Sequence, residues 1–569
     1  MRYTGAQILI ESLIGQGVDT IFGYPGAAVL HIYDELYRHR DRIRHFLVSH
    51  EQHAAHAADG YARSSGMAGV CLATSGPGAT NLVTGIAAAA IDSSPVIAIT
   101  GNVSVPLLGK DSFQEVDIAG VTMPLVKHNW IVKDVKDLAE VIREAFVVAQ
   151  AGRPGPVLID IPRDIAAAVC EWDKENLPVA ANGSCGYIGR LAERGMRETF
   201  TDADIENAAA MIKESKRPVV YAGGGAILSG AAAEIKKIAE LLNAPVALSL
   251  MGMGAFPGNH PLCTGLIGMH GTAASARAVR KSDLLIVAGA RFSDRLTSHI
   301  EKFARNAKIL HIDIDPAEIN KNMQASASIT GDLKTVLARL LKKLPSVMAT
   351  EWNGEIEKWK TLIPQDHHRK TALHPRFVIQ ETAKALGAQA IAVTDVGQHQ
   401  IWTAQFFPVN RPRSFISSGG MGAMGFGMGA AMGAKIANPG RPVALFTGDG
   451  CFRMNCIEMA TLARCSIPVL IIIFNNRALG MVRQWQNFFY SAHYYETDLD
   501  DRCPDFIKLA DACNVPGFRV TDEATFTEAL GKSMKLLASG KPVIIEAVID
   551  RDEKVLPMAG TMKAAEEDR

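Results

Sequence analysis

Short apolar runs that end in glycine or small polar residues recur along the whole chain, and they constrain its fold more than any other feature. Two of them are RPVALFTGDG at 441–450 and IPVLIIIFNN at 467–476. Continuous apolar strands that alternate with helical patterns are typical of parallel sheets covered by helices on both faces. The 569 residues are too many for one hydrophobic core. We therefore predict an α/β chain of three doubly wound parallel-sheet domains.

Two polar stretches divide the runs into three predicted domains. The first domain, 1–180, is expected to end with the strand in RPGPVLIDIP, and the stretch ENLPVAANGSCGYIGRLAERG follows it. Its Pro, Asn, Gly and Ser content suits a linker. The second domain is predicted at 195–345, and the stretch EWNGEIEKWKTLIPQDHHRK leads to the third, at 372–555.

Charge and composition exclude several kinds of partner. The chain has 59 Lys and Arg against 59 Asp and Glu and shows no basic stripe, which argues against nucleic acid. No apolar run approaches the ~18–20 residues of a membrane span, and the apolar N-terminal stretch is interrupted by acidic residues, unlike a signal peptide. Nine cysteines without a CxxC pair favour a reducing, cytoplasmic setting.

The most specific short pattern is Gly448-Asp449-Gly450, followed after twenty-four residues by Asn475 and Asn476. Both motifs follow apolar strands, so they are expected at the carboxyl edge of one sheet, where open α/β sheets bind ligands. One carboxylate and one amide suit Mg2+, and the glycines let the backbone approach a diphosphate. Asp-Gly alone would be an ordinary turn. The two motifs at this distance resemble the diphosphate and metal signature of thiamine-diphosphate enzymes.

A second candidate is Glu51, at the start of a predicted helix after the strand HFLVS. Its neighbours His50, His53 and His56 have helical spacing, but the HExxH arrangement of zinc enzymes is absent. A carboxyl group in an apolar site can hold or share a proton. Taken alone, Glu51 is better interpreted as a helix N-cap or a partner in a surface salt bridge.

Ordered motifs along nearly the whole chain, from about residue 4 to 558, resemble one enzyme family. They are FGYPGAAVLHIYDEL, SHEQHAAHAADGYAR, ATSGPGATNLVTGI, FQEVDIAG, GRPGPVLIDIPRDI, GMHGT, RFSDR, HIDIDPAEI, TDVGQHQ, GGMGAMGFG, the GDG to NN pair and LGMVRQWQ. In this order they resemble the large catalytic subunit of acetohydroxyacid synthase. The resemblance implies decarboxylation of pyruvate and its condensation with pyruvate or 2-ketobutyrate, giving acetolactate or acetohydroxybutyrate in branched-chain amino-acid biosynthesis.

The resemblance assigns roles at the coenzyme. Asp449, Asn476 and the main-chain carbonyl of Ala478 are the implied Mg2+ ligands, and Glu51 the residue that hydrogen-bonds N1′ of the aminopyrimidine. Met424 would hold the coenzyme in its bent form, although a methionine there could also be plain core. Further thiamine-diphosphate contacts are implied at Pro77, Asn81, Gly422, Gly448, Gly450 and Met481.

The resemblance also implies a substrate site and a flavin. Arg295 would hold the carboxylate of the second keto acid. Trp485, with Met481 and Val482, would form the wall that sorts acceptors by size, unless Trp485 belongs only to a folded-over lid. Phe113 and Gln114 would face the reacting centre. A non-redox FAD is implied by Arg153, Gly223, Gly224, Met269, His270, Arg291, Asp313 and Asp315, although the glycine run lacks a full GxGxxG pattern.

Some features leave alternatives open. Ala27, Arg163 and Ser293 depart from the family pattern, and GGMGAMG replaces the usual GLGTMG. A catabolic acetolactate synthase, a pyruvate oxidase or a decarboxylase would share much of the same signature. Glu51 argues against glyoxylate carboligase, and the retained Glu51, Asp449 and Asn476 argue against a silent scaffold. The resemblance implies a homodimer or homotetramer with the site between chains, and a possible small regulatory subunit.

Overall fold

A computed structural model describes residues 1–174, 199–297, 303–345, 353–361, 373–500 and 503–558. The predicted linker at 175–195, much of the second polar stretch and the end of the chain lie outside these ranges. Three six-stranded parallel sheets are present, one in each predicted domain, so the predicted fold class is confirmed. The domain limits themselves stay predictions.

The strands of the structure include one in each apolar run quoted above, as predicted, and several others. They are β1 Arg2–Thr4, β2 Thr20–Tyr24, β3 Arg44–Leu47, β4 Gly69–Ala73, β5 Val96–Asn102, β6 Asn129–Ile131, β7 Val157–Pro162, β8 Val169–Glu171, β9 Pro218–Ala222, β10 Val246–Leu248, β11 Cys263–Leu266, β12 Leu284–Ala288, β13 Lys308–Asp313, β14 Ala327–Thr330, β15 Ile391–Thr394, β16 Phe415–Ile416, β17 Val443–Gly448, β18 Leu470–Asn475, β19 Gly517–Val520 and β20 Val543–Val548.

Helices connect these strands. They are α1 Gly5–Gly15, α2 Leu30–Arg38, α3 Glu51–Ser65, α4 Pro77–Asn81, α5 Val83–Ile91, α6 Ile118–Thr122, α7 Leu138–Gln150, α8 Arg163–Ala167, α9 Asp202–Glu214, α10 Gly224–Leu228, α11 Ala232–Leu242, α12 Ala273–Lys281, α13 Asp294–Thr297, α14 Leu333–Lys343, α15 Asn353–Lys360, α16 Pro375–Leu386, α17 Gln398–Phe406, α18 Gly427–Ala437, α19 Asp449–Asn455, α20 Met459–Arg464, α21 Gly480–Phe489, α22 Phe506–Ala512 and α23 Glu523–Ala538. Among the described helices, none has both the length and the apolar character that crossing a bilayer requires.

The first and third sheets share one topology. Their strand orders are β3-β2-β4-β5-β7-β6 and β16-β15-β17-β18-β20-β19, and the two orders are equivalent when the strands are counted from the start of each sheet. The central sheet has the order β11-β10-β9-β12-β13-β14, with β9 and β12 adjacent. Each sheet therefore has a point where the connections leave in opposite directions, and a crevice opens there at the carboxyl ends of the strands.

Helices α3 and α18 join the first and third domains through a close backbone contact. A methyl group on Gly433 would lie 1.9 Å from the Ala57 carbonyl oxygen, and one on Gly60 would lie 2.2 Å from that of Ala430. The glycines are needed because only a hydrogen atom fits between the two backbones. This contact fixes the helix that begins at Glu51 against the domain that carries the GDG motif.

We expect Gly433→Ala to lower the free energy of unfolding by about 1–3 kcal/mol, because an overpacked contact forces the backbones apart. Urea unfolding of the full chain would measure the loss. Gly531→Ala, on α23, is the matched control, since nothing lies within 4 Å of its added methyl group, and helix propensity there predicts a gain of about 0.5–1 kcal/mol. Equal losses in both variants would contradict the proposed importance of the α3–α18 contact.

Candidate active site

The third sheet brings the GDG and NN motifs together. Gly448, the last residue of β17, pairs with Phe474 of the neighbouring strand β18. Asp449 begins helix α19 directly after this point, and Asn475 ends β18. The strand register therefore places the GDG and NN motifs at one edge of the sheet, as predicted.

Asp449 is a buried carboxylate with an unmatched oxygen. It is 2% exposed; its Oδ1 accepts the Gly450 N–H at 2.9 Å, and its Oδ2 has no hydrogen-bond partner among the described residues. Burial raises the pKa of Asp449 to about 7, although backbone N–H groups of Gly450 and Ala478 act in the opposite direction. A cation at Oδ2 would compensate the buried charge.

Two further oxygens of the predicted metal set lie in the next loop. Asn476 is buried, its Oδ1 accepts the Ala478 N–H at 3.2 Å and its Nδ2 donates to Gln398 Oε1 at 3.3 Å. In this loop the Leu479 N–H donates to the Thr497 carbonyl, and the Arg477 carbonyl accepts from the Leu499 N–H. Among the described residues, no hydrogen bond ends on the Ala478 carbonyl oxygen. The donor set of one carboxylate, one amide and one free carbonyl fits Mg2+.

Glycines and a buried histidine form a narrow cradle beside Asp449. A methyl group on Gly448 would lie 2.9 Å from His399 Nδ1, and one on Gly450 would lie 2.6 Å from Leu479 Cδ2. Burial lowers the pKa of His399 to about 3, so its ring is neutral, and its buried Nε2 has no partner in the described structure. An unpaired ring nitrogen and close backbone approach fit a bound phosphate group.

The loop carrying Met424 is held from two sides. Asp395, fully buried, accepts the Gly425 N–H at 2.8 Å. Asp92 of the first domain accepts the N–H groups of Gly419 and Gly420 at 3.0 and 2.8 Å. These carboxylates hold the loop at the cavity, where Met424 is half-buried and lines the wall.

One cavity collects most of the residues predicted to contact the coenzyme in the third domain. Its lining contains Met424, Gly448, Asp449, Gly450, Asn476, Ala478 and Met481. Gly422 lies in the same loop as Met424, in the left-handed region at φ +65°. Trp485 is half-buried against Phe489, with ring centroids 5.0 Å apart, and does not line the cavity. It lies one turn beyond Met481 on helix α21.

Glu51 and its predicted neighbours form a second group, at the carboxyl edge of the first sheet. Glu51 is 9% exposed, and its Oε2 accepts from Asn81 Nδ2 at 2.9 Å. Pro77 begins the short helix α4 that ends at Asn81. A methyl group on Gly76 would lie 2.9 Å from the Gln114 carbonyl oxygen. Glu51, Pro77, Asn81 and Gln114 therefore belong to one edge.

Glu51 and its neighbours do not line the metal-side cavity. The lining of the metal-side cavity comes from the third domain alone, and Glu51 is absent from it. Phe113, beside Gln114, is 87% exposed. The Arg295 side chain is 69% exposed and lies 3.7 Å from its neighbour Asp294. Ala27, Arg163 and Ser293 are all exposed as well.

The residues predicted for FAD surround the carboxyl edge of the central sheet. Gly223 donates its N–H to the Ala288 carbonyl at 3.1 Å, which packs the glycine turn with Gly224 against the end of β12. Arg153 reaches from the first domain to Asp315 and Glu318 at 3.1 and 2.9 Å. Burial raises the pKa of Asp313 to about 6.

The remaining predicted flavin contacts lie close to the third domain and to Arg295. The Met269 N–H donates to the Arg295 carbonyl at 2.8 Å. His270 Nδ1 lies 3.1 Å from the Pro557 carbonyl oxygen, and Tyr221 donates to the Arg291 carbonyl at 3.2 Å. The sequence thus predicted residues that the fold brings to one side of the central domain.

Several residues of the cavity were not assigned by sequence reasoning. Its lining also includes Val396, Gly397, Gln398, His399, Trp402, Cys451, Phe474, Leu479, Gly480 and Ile549. Part of the signal was present, because TDVGQHQ follows an apolar strand as GDG does, and equivalent strand ends of one sheet meet at one edge. Leu479 and Gly480 begin the motif LGMVRQWQ, but neither was assigned a role.

Comparison with known proteins agrees with this architecture. Three thiamine pyrophosphate enzyme models match the chain: the N-terminal TPP binding domain at residues 3–121, the central domain at 205–340 and the C-terminal TPP binding domain at 395–547. The glycine cradle and the Glu51 edge fall in the C-terminal and N-terminal matches.

Curated relatives cover nearly the whole chain. A probable acetolactate synthase large subunit of Methanocaldococcus jannaschii is 46% identical over 565 residues, covering 97% of this chain and 93% of the relative. An acetolactate synthase of Mycobacterium bovis is 44% identical over 576 residues, with 98% and 90% covered. An acetolactate synthase large subunit of Cyanidium caldarium is 43% identical over 576 residues, with 99% and 96% covered. The resemblance seen in the sequence is confirmed, and the chain belongs to the acetolactate synthase family of thiamine pyrophosphate enzymes.

Proposed function

We propose that the third-domain cavity binds thiamine diphosphate through Mg2+, and that the chain joins two 2-keto acids with loss of carbon dioxide. The metal site is supported by the buried Oδ2 of Asp449 and the Ala478 carbonyl, neither of which has a hydrogen-bond partner among the described residues, together with the Asn476 amide. Buried charges persist in proteins where a counter-ion or a metal compensates them. The neutral His399 and the glycine turns then face the diphosphate.

When bound, thiamine diphosphate supplies the electron sink that makes decarboxylation of a 2-keto acid possible. The protein supplies orientation, proton transfer and a dry cavity. Glu51, nearly buried and bonded to Asn81, holds or gives up a proton at the aminopyrimidine ring. Met424 supports the bent form of the coenzyme, and Met481 and Val482 form an apolar wall that excludes water.

The acceptor keto acid is proposed to be pyruvate or 2-ketobutyrate. Arg295 suits its carboxylate because a guanidinium presents two parallel donors, and its side chain is exposed, with an ion-pair separation of 3.7 Å to Asp294. Trp485, on the same helix as Met481, is proposed to limit the size of the acceptor, with Phe113 and Gln114 on the opposite side of the reacting centre.

The separation of Glu51 from the metal-side cavity supports a homodimer or homotetramer. Both groups must contact one coenzyme, yet within one chain the cavity is lined by the third domain alone. A second copy would place its Glu51 edge over this cavity. Two of the relatives described above are named large subunits, which supports a small regulatory partner. We also propose a cytoplasmic setting, in keeping with the cysteine content.

FAD is proposed as a non-redox ligand of the central domain. Asp313, whose buried carboxyl group has a raised pKa, would accept hydrogen bonds from sugar hydroxyl groups there, and Gly224 would allow close approach of a diphosphate. The flavin has no electron to transfer in this reaction, so its contribution would be structural. Turnover is accordingly expected to respond more strongly to removal of thiamine diphosphate than to removal of FAD.

Product analysis tests the proposed reaction. The purified chain is incubated with pyruvate, with and without 2-ketobutyrate, thiamine diphosphate, Mg2+ and FAD. Acetolactate or acetohydroxybutyrate is expected only when thiamine diphosphate and Mg2+ are both present. Acetaldehyde would indicate a decarboxylase, and acetyl phosphate an oxidase; either product would overturn the proposed condensation while leaving the coenzyme site intact.

A further inference from the structure

A row of buried amide side chains connects Asn476 to the last described part of the chain, residues 553–558, which we call the C-terminal strap. Asn476 Nδ2 donates to Gln398 Oε1 at 3.3 Å. Gln398 Nε2 in turn donates to Gln484 Oε1 at 2.9 Å and to the Glu553 carbonyl at 2.7 Å. Gln398 is 5% exposed and Gln484 3%, so water does not compete for these bonds.

The strap fixes which way the Gln484 amide points. The Val555 N–H donates to Gln484 Oε1 at 2.9 Å, and Gln484 Nε2 donates to the Val555 carbonyl at 3.0 Å. A backbone N–H can only donate and a carbonyl can only accept. Turning the Gln484 amide by 180° would therefore set donor against donor and acceptor against acceptor at both ends.

This orientation passes from one amide to the next. Because Gln484 presents its Oε1 to Gln398, and the Glu553 carbonyl also accepts, the Nε2 of Gln398 must lie on that side. Gln398 then presents its Oε1 to Asn476, and the NH2 group of Asn476 donates to it. The Asn476 oxygen is thereby kept on the opposite side, toward the Ala478 N–H and the proposed metal. A reversed Asn476 would offer the metal an NH2 group, which has no lone pair to coordinate it.

Gln484 also lies on the helix that carries the proposed substrate wall. It stands between Met481 and Trp485 on α21. The Gln484 side chain thus bonds to the strap and to Gln398, the partner of Asn476. Its backbone lies in the helix that carries Met481 and Trp485.

We infer that Gln484 is a positioning residue that orients the amide of Asn476 for metal binding through Gln398. The inference rests on the proposed metal site. Outer residues that hold a ligand in place affect metal affinity strongly, typically about 10–100-fold.

Direct metal binding tests the inference. Electron paramagnetic resonance would measure Mn2+ binding to the full chain in the presence of thiamine diphosphate. Gln484→Met keeps the length of the side chain and removes both amide functions, and we expect Mn2+ affinity to fall about 10-fold or more. Gln484→Glu retains an acceptor toward Gln398 and the Val555 N–H but sets a second acceptor against the Val555 carbonyl. Its Mn2+ affinity is therefore expected to fall less than that of Gln484→Met.

Gln405→Met is the matched control. Gln405 Nε2 donates to the Leu556 carbonyl of the same strap at 3.1 Å and to the His270 carbonyl at 3.0 Å. Gln405 takes no part in the row of amides. We expect this variant to lower the thermal midpoint while leaving Mn2+ affinity unchanged. Equal loss of affinity in Gln405→Met and Gln484→Met, or unchanged affinity in Gln484→Met, would overturn the inference. Failure of the unchanged chain to bind Mn2+ would instead remove the proposed metal site.

Discussion

Replacing Glu51 by Gln is expected to preserve the fold and coenzyme binding while lowering turnover about 10²–10⁴-fold, the range typical for loss of a positioned acid–base group. Glu51 begins helix α3, is 9% exposed and accepts a hydrogen bond from Asn81. A glutamine has nearly the same shape and keeps an acceptor for Asn81. The glutamine amide cannot exchange a proton, so the rate of the chemical step should fall while coenzyme affinity stays the same.

Two measurements separate these effects: thiamine-diphosphate binding by fluorescence titration, and acetolactate formation from pyruvate. Glu458→Gln is the control, because Glu458 is also buried near the start of α3, where it accepts from the Ser49 N–H at 2.8 Å and pairs with His53 at 2.9 Å. The control should lower the thermal midpoint without changing turnover per folded chain. Turnover by Glu51→Gln equal to that of the unchanged chain would show that the assigned role is wrong.

The strands that carry the site could be predicted because each is a continuous apolar run ended by a small or polar residue. The register between β17 and β18 then follows from parallel pairing, which is why Asp449 and Asn476 were expected at one edge and are found there. The helix beginning at Glu51 was likewise predicted from its position after HFLVS, and it is observed. Local pattern determines these features.

Long-range packing determines the rest, and no local pattern reveals it. The motif TDVGQHQ places Gln398 at the sheet edge, but nothing local indicates its bonds to Asn476, Gln484 and Glu553. The family resemblance predicted roles for Phe113 and Arg295 but not which residues surround them. Both side chains are exposed in the single chain. A site completed by a second copy, as proposed above, would account for this exposure.

A contrast between two buried aspartates provides the second large expected effect. In Asp449→Asn, thiamine-diphosphate-dependent Mg2+ binding should weaken at least 100-fold and turnover should become undetectable, because breaking a buried ion pair costs about 3–5 kcal/mol. Without metal, however, the variant should be at least as stable as the unchanged chain at pH 8. Burial raises the folded-state pKa of Asp449 to about 7, above that of the unfolded chain, so the ionised group costs folding free energy at pH 8 and a neutral amide removes that cost.

Asp395→Asn should instead lower the free energy of unfolding of the metal-free chain, although burial raises the pKa of Asp395 as well, because both carboxylate oxygens accept hydrogen bonds. Asp395 is equally buried, but its carboxylate accepts from the Gly425 N–H, Thr447 Oγ1 and Asn455 Nδ2 at 2.8, 3.2 and 3.3 Å. An amide there turns an NH2 group toward donors, and each buried group left unpaired costs about 1–3 kcal/mol. Urea unfolding of the metal-free variants and calorimetric Mg2+ titration with thiamine diphosphate would measure both effects. A metal-free Asp449→Asn that loses as much stability as Asp395→Asn would mean that Asp449 is a satisfied structural carboxylate, and that the metal lies elsewhere.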